Sequence, residues 1–325
     1  MDGVGILPSG RAITPEGLQT KVGLFPGNMV MTPDGKTLII SNNGYSQNSI
    51  MLVDTSTGAV RQTIPAPDGW LFYGLAVSSD GRRFYAAGGT KGKVYSYDIG
   101  EGGEAAEGAT LETGGYPTGL ELSDDGKRLY VTHYAKGSIT VHDAGTGAQL
   151  ASGTAGNYPF GAALSADGKK LYVSNWGQRT MNGAATVSVL DAADLSFMSE
   201  MEVGKNPELI LTDHGRGRIF VLNSDQETVS IISQSTDTVT ATLSMLDNDD
   251  DLKGVFPLGA ALSADGNTLY VASAARNTVD VMDLVSMKRK GSIPAGWYPL
   301  SVAISADGKK LFVLNAKGEG SGDNR

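Results

Sequence analysis

One short pattern recurs along the chain and limits its fold more than any other feature. In the copy "NYPFGAALSADGKKLYVSNWG" (157–177), an aromatic–Pro pair leads into an apolar run, an Asp-Gly turn and a second apolar run. Two apolar runs joined by Asp-Gly are a strong signal for a β-hairpin. The pattern occurs seven times, with turns 42 to 51 residues apart. The turns are centred on Gly35, Gly81, Gly126, Gly168, Gly215, Gly266 and Gly308.

Each hairpin is followed by residues that extend it to a four-stranded sheet. An alternating third stretch such as "SITVHD" (138–143) comes first, and a fourth such as "AVRQTIPA" follows. Four antiparallel strands in each repeat, repeated seven times, predict an all-β fold, a seven-bladed β-propeller of four-stranded antiparallel blades. The seventh copy contains only two strands. We therefore expect residues 12–23 to supply the missing outer strand or strands and close the ring.

The same reasoning predicts the domain organisation. We expect one propeller over residues 12–317, a mobile segment at 1–11 and a Gly/Ser-rich tail or linker at 318–325. The 44 glycines agree with a chain that has many turns.

Composition and missing motifs exclude several classes of function. The absence of cysteine excludes disulfides and thiolate chemistry, and a net charge of −9 argues against nucleic-acid or membrane partners. No apolar stretch is long enough for a membrane span, and the first residues do not resemble a signal peptide. Motifs for zinc proteases, serine hydrolases and nucleotide binding are missing. We therefore expect a noncatalytic, cofactor-free chain.

Propeller geometry separates two faces. The hairpins project from one rim, and the loops before strand one and after strand two project from the opposite side, here named the loop face. Phe or Tyr precedes Pro in five of the loops before strand one, including Tyr298, and all three tryptophans (Trp70, Trp176 and Trp297) lie in loops of this face. These aromatics either stack on a ligand or pack between blades. We favour packing for the repeated Phe and Tyr, and keep the tryptophans and Tyr298 as ligand candidates.

A cation follows the second strand in five repeats. These residues are Lys91, Lys136, Arg179, Arg276 and Lys317, and His133 joins them in the third repeat. A ring of cations on one face predicts binding of an anionic small molecule or an acidic protein surface. The alternative is that exposed loop tips tolerate lysine.

Glu208 places a carboxylate at a channel-mouth position that is apolar or small in most copies. With Asn223 and Asn28 it could hold a hard cation such as Ca²⁺, which prefers oxygen ligands. The sequence therefore suggests a metal site at the channel mouth as a hypothesis.

The repeat also resembles a known family. "LSADGKKLYVSN" followed by "TVSVLD" is similar to the YVTN repeat of YncE-like seven-bladed propellers, over nearly the whole chain. "ILPSGRAITPEGLQTKVG" and "LFVLNAKGEGSGDNR" resemble segments of bacterial proteins in which such a propeller precedes an alkaline-phosphatase-type phosphoesterase domain. This resemblance implies a periplasmic or secreted location and an accessory role beside that domain.

Three functions remain open on the sequence. The first is a monomeric recognition or scaffold propeller that binds a ligand or partner domain on its loop face. The second is a metal-dependent, lactonase-like hydrolase with its site at the channel mouth. The third, a redox quinoprotein, is supported by architecture alone, and a fold by itself does not determine function.

Overall fold

The structure is a computed structural model that describes residues 5–6, 12–44, 47–177, 185–246 and 254–318. It confirms the all-β seven-bladed propeller: six sheets have four antiparallel strands each, and the seventh has two. No helix in these residues is long and apolar enough to cross a membrane.

The strands follow the repeats closely. A short N-terminal hairpin consists of β1 (Gly5–Ile6) and β2 (Ala12–Ile13). Blade 1 contains β3 (Pro26–Met31), β4 (Thr37–Asn42), β5 (Ser49–Asp54) and β6 (Val60–Pro65). Blade 2 contains β7 (Leu75–Val77), β8 (Arg83–Ala87), β9 (Lys93–Ile99) and β10 (Ala105–Glu112). Blade 3 contains β11 (Pro117–Leu122), β12 (Arg128–His133), β13 (Ser138–Asp143) and β14 (Gln149–Thr154).

Blade 4 contains β15 (Pro159–Leu164), β16 (Lys170–Asn175), β17 (Thr186–Asp191) and β18 (Phe197–Glu202). Blade 5 contains β19 (Pro207–Asp213), β20 (Arg218–Asn223), β21 (Thr228–Ser233) and β22 (Thr238–Ser244). Blade 6 contains β23 (Pro257–Leu262), β24 (Thr268–Ser273), β25 (Thr278–Asp283) and β26 (Lys288–Pro294). Blade 7 contains β27 (Pro299–Ile304) and β28 (Leu311–Asn315). Three one-turn 3-10 helices follow second strands: η1 (Gly89–Lys91), η2 (Tyr134–Lys136) and η3 (Ala274–Arg276).

The Asp-Gly hairpins hold themselves together. In blade 4, the Ser165 hydroxyl donates to Asp167 Oδ1 at 2.7 Å, and the same oxygen accepts the Lys169 amide at 3.1 Å. Six of the seven turns have this arrangement, and Gly168 adopts the left-handed backbone that it requires. The aspartates involved are Asp34, Asp80, Asp125, Asp167, Asp265 and Asp307. The hairpins are structural, as the sequence predicted.

The apolar core lies between neighbouring blades. In blade 3, Ile139 and Val141 pack with Leu171 and Val173 of blade 4. Buried tyrosines of the second strands form hydrogen bonds across the same interfaces. The Tyr130 hydroxyl of blade 3, for example, donates to the Ala192 carbonyl of blade 4 at 2.8 Å. Each blade is therefore stabilised by the next one around the ring.

The closure of the ring differs from the expected added strand. In the described part of the chain, β27 and β28 pair only with each other, while β2 pairs with β1. Residues 14–23 cross from blade 6 to blade 1 as irregular chain: the Glu16 amide donates to the Pro294 carbonyl, and Thr20 donates to the Gly58 carbonyl. The N-terminal segment thus closes the ring by packing rather than by an extended ladder.

Candidate functional site

The aromatic–Pro loops are joined to the second strands by one repeated backbone contact. In this contact, the amide of the residue after the second strand donates to the carbonyl of the residue before the inner strand. Examples are the Trp176 amide to the Tyr158 carbonyl at 3.1 Å and the Ala316 amide to the Tyr298 carbonyl at 2.9 Å. Five residues before Pro have left-handed φ values of 47° to 63°. They are Phe25, Tyr158, Asn206, Phe256 and Tyr298. The repeated pattern is therefore part of the blade architecture.

The asparagines that end the second strands are structural too. Asn175 donates to the hydroxyls of Thr186 at 3.1 Å and Ser188 at 2.9 Å. Asn223 makes the equivalent contacts in blade 5, with Thr228 and Ser230. Both amide nitrogens are thus hydrogen-bonded inside their own blades, while Oδ1 of each residue is buried without a partner among the described residues.

The loop face of blades 2 to 4 carries one connected group of rings, here named the aromatic cluster. Its members are Phe72, Tyr73, Tyr116, Tyr134, Tyr158, Phe160 and Trp176. Trp176 stacks on Phe160 with ring centroids 4.8 Å apart and meets Tyr134 edge-on at 5.1 Å. Such contacts add to the energy of area burial and orient the rings. Trp176 is thus held in place by its neighbours.

The cluster is open at its rim. Tyr158 is 38% exposed and Trp70 is 41% exposed. Trp70 lies next to the cluster, because a side chain added at Gly89 would come within 3.4 Å of both the Trp70 indole nitrogen and the Tyr116 ring. The cluster therefore combines a packed base with aromatic surface that a ligand can reach.

Some of the predicted cations form no ion pair within the described residues, whereas others contact a carboxylate or aromatic rings. Lys91 and Lys136 end equivalent 3-10 helices, are exposed, and form no ion pair within the described residues. Arg276 instead lies 3.6 Å from the fully buried Asp280 and donates to the Met245 carbonyl. Lys317 lies over the rings of Trp297 and Tyr298, at 4.8 and 5.3 Å. Arg179 lies outside the described residues.

His133 does not join these cations. It is the last residue of β12, is 2% exposed, and occupies the position of the second-strand asparagines. Its Nε2 lies 2.8 Å from the Thr140 hydroxyl, which is 2.9 Å from Nε2 of His142. Burial, His142 and Lys136 together lower the pKa of His133 to about 4. The ring is therefore neutral at pH 7.

Glu208 lies at the channel mouth, on β19. Its carboxylate has only weak contacts, to the Asn206 amide at 3.3 Å and the Ser224 hydroxyl at 3.4 Å. Burial raises the pKa of Glu208 to about 8, and burial together with the nearby Glu208 raises the pKa of Tyr73 and of Tyr298. The charged form is thus disfavoured at neutral pH.

Two of the three candidate metal ligands use their side-chain amides in hydrogen bonds. Asn28 donates to the Tyr73 carbonyl and accepts from the Met29 amide, while the Asn223 amide faces the hydroxyls of its own blade. No group of three His, Asp or Glu side chains in the described ranges could hold a metal ion. Ca²⁺ binding by Glu208, Asn223 and Asn28 therefore stays a prediction.

Three residues of interest were not singled out by the sequence reasoning. Tyr134 and Phe160 join the rings of the aromatic cluster, and Glu121 on β11 is a second partly buried carboxylate. Glu121 accepts from the Leu164 amide at 3.1 Å, and burial raises its pKa to about 7. A signal was present, because the other inner strands carry apolar residues at this position.

Comparisons with known proteins agree with the fold. The profile of the family "Lactonase, 7-bladed beta-propeller" matches residues 73–159. A solved structure of Kuenenia stuttgartiensis hydrazine synthase is similar with a TM-score of 0.76 and 24% identity, over 93% of this chain and 96% of that one. No curated protein matches the chain significantly. At this identity the structural likeness shows the fold alone.

Proposed function

We propose that this chain is a noncatalytic recognition propeller that binds its ligand on the aromatic cluster. The observation that carries the proposal is the cluster itself: connected rings from three blades, with an open rim at Tyr158 and Trp70 and the unpaired Lys91 beside it. Rings stack on planar or sugar surfaces, and a lysine selects negative charge. The ligand class is a ring that carries an acidic group, or an acidic protein surface that presents one.

Phenyl phosphate is a suitable probe, since it has one ring and one anion, and tryptophan fluorescence reports its binding. Tyr158→Ala is expected to weaken binding about 3- to 10-fold through loss of stacking. Lys91→Gln is expected to weaken it about 3-fold and to reduce its dependence on salt.

Lys309→Gln is the matched control, because Lys309 is equally exposed but lies on the hairpin rim. Its affinity should equal that of the wild type. Equal binding of benzyl alcohol and phenyl phosphate, unaffected by Lys91→Gln, would contradict the proposal.

The wider context is also a proposal. We infer a YncE-like propeller that serves as the periplasmic or secreted accessory domain of a phosphoesterase, with the loop face turned to that domain. The support is the YVTN-like repeat and the terminal segments of the sequence. An in-frame phosphoesterase domain in the same gene is the direct test.

A hydrolase is the second candidate. It is favoured by the lactonase profile, whose matched segment contains Tyr73, Tyr116, Tyr134 and Tyr158 of the cluster. Glu208, the channel-mouth carboxylate such an enzyme would use, lies outside that segment.

An assay with a panel of sugar and aliphatic lactones separates the two candidates. The recognition proposal expects hydrolysis no faster than in buffer for the wild type and for Glu208→Gln. Acceleration by the wild type that is lost in Glu208→Gln would establish the hydrolase instead.

A further inference from the structure

A polar cavity of about 450 Å³ lies on the flank of blade 3, apart from the rings of the aromatic cluster. Half of its ten lining residues bear hydroxyl groups, Lys136 supplies an ammonium group, and none is a carboxylate. The hydroxyl residues are Thr113, Ser138, Thr140, Ser152 and Thr154. The chain has a net charge of −9, yet this lining contains a cation and no carboxylate.

Comparison with blade 4 shows how these hydroxyls can instead be covered. Ser152 pairs with Thr140 in the sheet, and the register-equivalent pair in blade 4 is Glu200 and Ser188. Glu200 there accepts from the Thr186 hydroxyl at 2.8 Å and from Ser188 at 3.3 Å. A long carboxylate thus satisfies the hydroxyls of blade 4, while the short Ser152 leaves those of blade 3 uncovered.

The floor of the cavity is fixed by a hydrogen-bonded chain. His142 Nδ1 lies 3.1 Å from the Gly147 carbonyl and must carry the proton there, so its Nε2 accepts from Thr140. The Thr140 oxygen then accepts from His133 Nε2. Both rings are therefore neutral and held in place, and His133 Nδ1, which carries no proton in this arrangement, has no hydrogen-bond partner among the described residues.

Apart from the Gln149 amide and the unpaired His133 Nδ1, which accepts, the side chains left for a ligand can donate. The side chains of Lys136, Ser138, Ser152 and Thr154 have no hydrogen-bond partner among the described residues. The Thr140 hydroxyl proton is committed to His142, and Thr113 donates to the Gly92 carbonyl at 3.3 Å. Three free hydroxyls around one ammonium match the acceptor oxygens of an anion.

We propose that this cavity binds a small oxyanion, phosphate or sulfate, either free or as the acidic group of a small polar molecule. The ammonium of Lys136 neutralises its charge, and the hydroxyls of Ser138, Ser152 and Thr154 donate to its oxygens. The site does not depend on the proposed function, since its ligand does not touch the aromatic cluster.

Titration of the full chain with inorganic phosphate and with glucose 6-phosphate tests the site. The chain has only three histidines, so their ring signals can be resolved by NMR. A saturable shift of the His133 and His142 signals is expected with phosphate, but not with glucose. Tighter binding of glucose 6-phosphate than of phosphate identifies a phosphorylated small molecule, and equal binding identifies the free anion.

Ser152→Glu is the decisive variant, because it gives blade 3 the carboxylate of blade 4. It is expected to weaken phosphate binding at least about 10-fold, and Lys136→Gln about 3-fold. Thr242→Glu is the matched control, as it adds the same charge at the equivalent exposed edge of blade 5, and should change affinity less than about 2-fold.

Tyr158→Ala should leave the shifts of the histidine signals unchanged, which separates this site from the aromatic cluster. No saturable shift with either phosphate up to about 20 mM, or equal effects of Ser152→Glu and Thr242→Glu, would overturn the proposal.

Discussion

Glu208→Gln is expected to stabilise the propeller at alkaline pH, by on the order of 5 kcal/mol at pH 9. The pKa of Glu208 is raised from 4.5 to about 8 in the folded chain. Between these values the unfolded chain loses a proton that the folded chain keeps, so the wild type loses stability as the pH rises. Glutamine keeps an acceptor for Asn206 and Ser224 and removes the buried charge. Urea denaturation from pH 5 to pH 9 measures the effect.

The difference between variant and wild type carries the test, because Glu121 contributes its own loss of stability in both proteins. The difference should be small near pH 5, grow up to about pH 8, and then level off. Glu202→Gln, which makes the same change at an exposed position of β18, is the control. A stability difference for Glu208→Gln that does not change with pH would show that the carboxylate is not buried at the channel mouth.

The fold was predictable because its signals are local. Each Asp-Gly turn closes through contacts between residues at most five positions apart, as in Ser165–Asp167–Lys169. The repeat then sets the number of blades, since each blade has to cover the core of its neighbour. Ring closure was less predictable, because residues 14–23 are held by the Pro294 and Gly58 carbonyls of two different blades.

The site was predictable only in part, because it joins residues distant in sequence. Trp176 was correctly placed on the loop face, but its partners Phe160 and Tyr134 come from two different blades. Arg276 looked free in the loop pattern, yet it pairs with Asp280, which lies at a buried strand position where blade 4 carries Ser188. Asp280, a charged residue within the alternating third strand, was the signal in the sequence that Arg276 would form an ion pair.

His133→Asn is expected to protect the propeller against acid. The pKa of His133 falls from 6.5 to about 4 on folding. As the pH falls through this window, the unfolded chain gains a proton that the folded chain does not, so stability is lost. Above pH 6.5 this contribution is absent, and the full loss, on the order of 3 kcal/mol, is reached near pH 4. Asparagine cannot take up the proton, so the variant should lose less stability in acid.

Asparagine is also the residue that blade 4 carries at the position of His133. Asn175 donates to Ser188 at 2.9 Å, as His133 Nε2 bonds to the equivalent Thr140. Near pH 8 the variant should therefore stay within about 1 kcal/mol of the wild type. His214→Asn, which changes an exposed residue of the opposite rim, is the control, and circular dichroism during urea denaturation from pH 4 to pH 8 gives the curves. If His133→Asn loses as much stability in acid as the wild type, the buried chain from His133 through Thr140 to His142 does not govern acid unfolding, and other groups must be responsible.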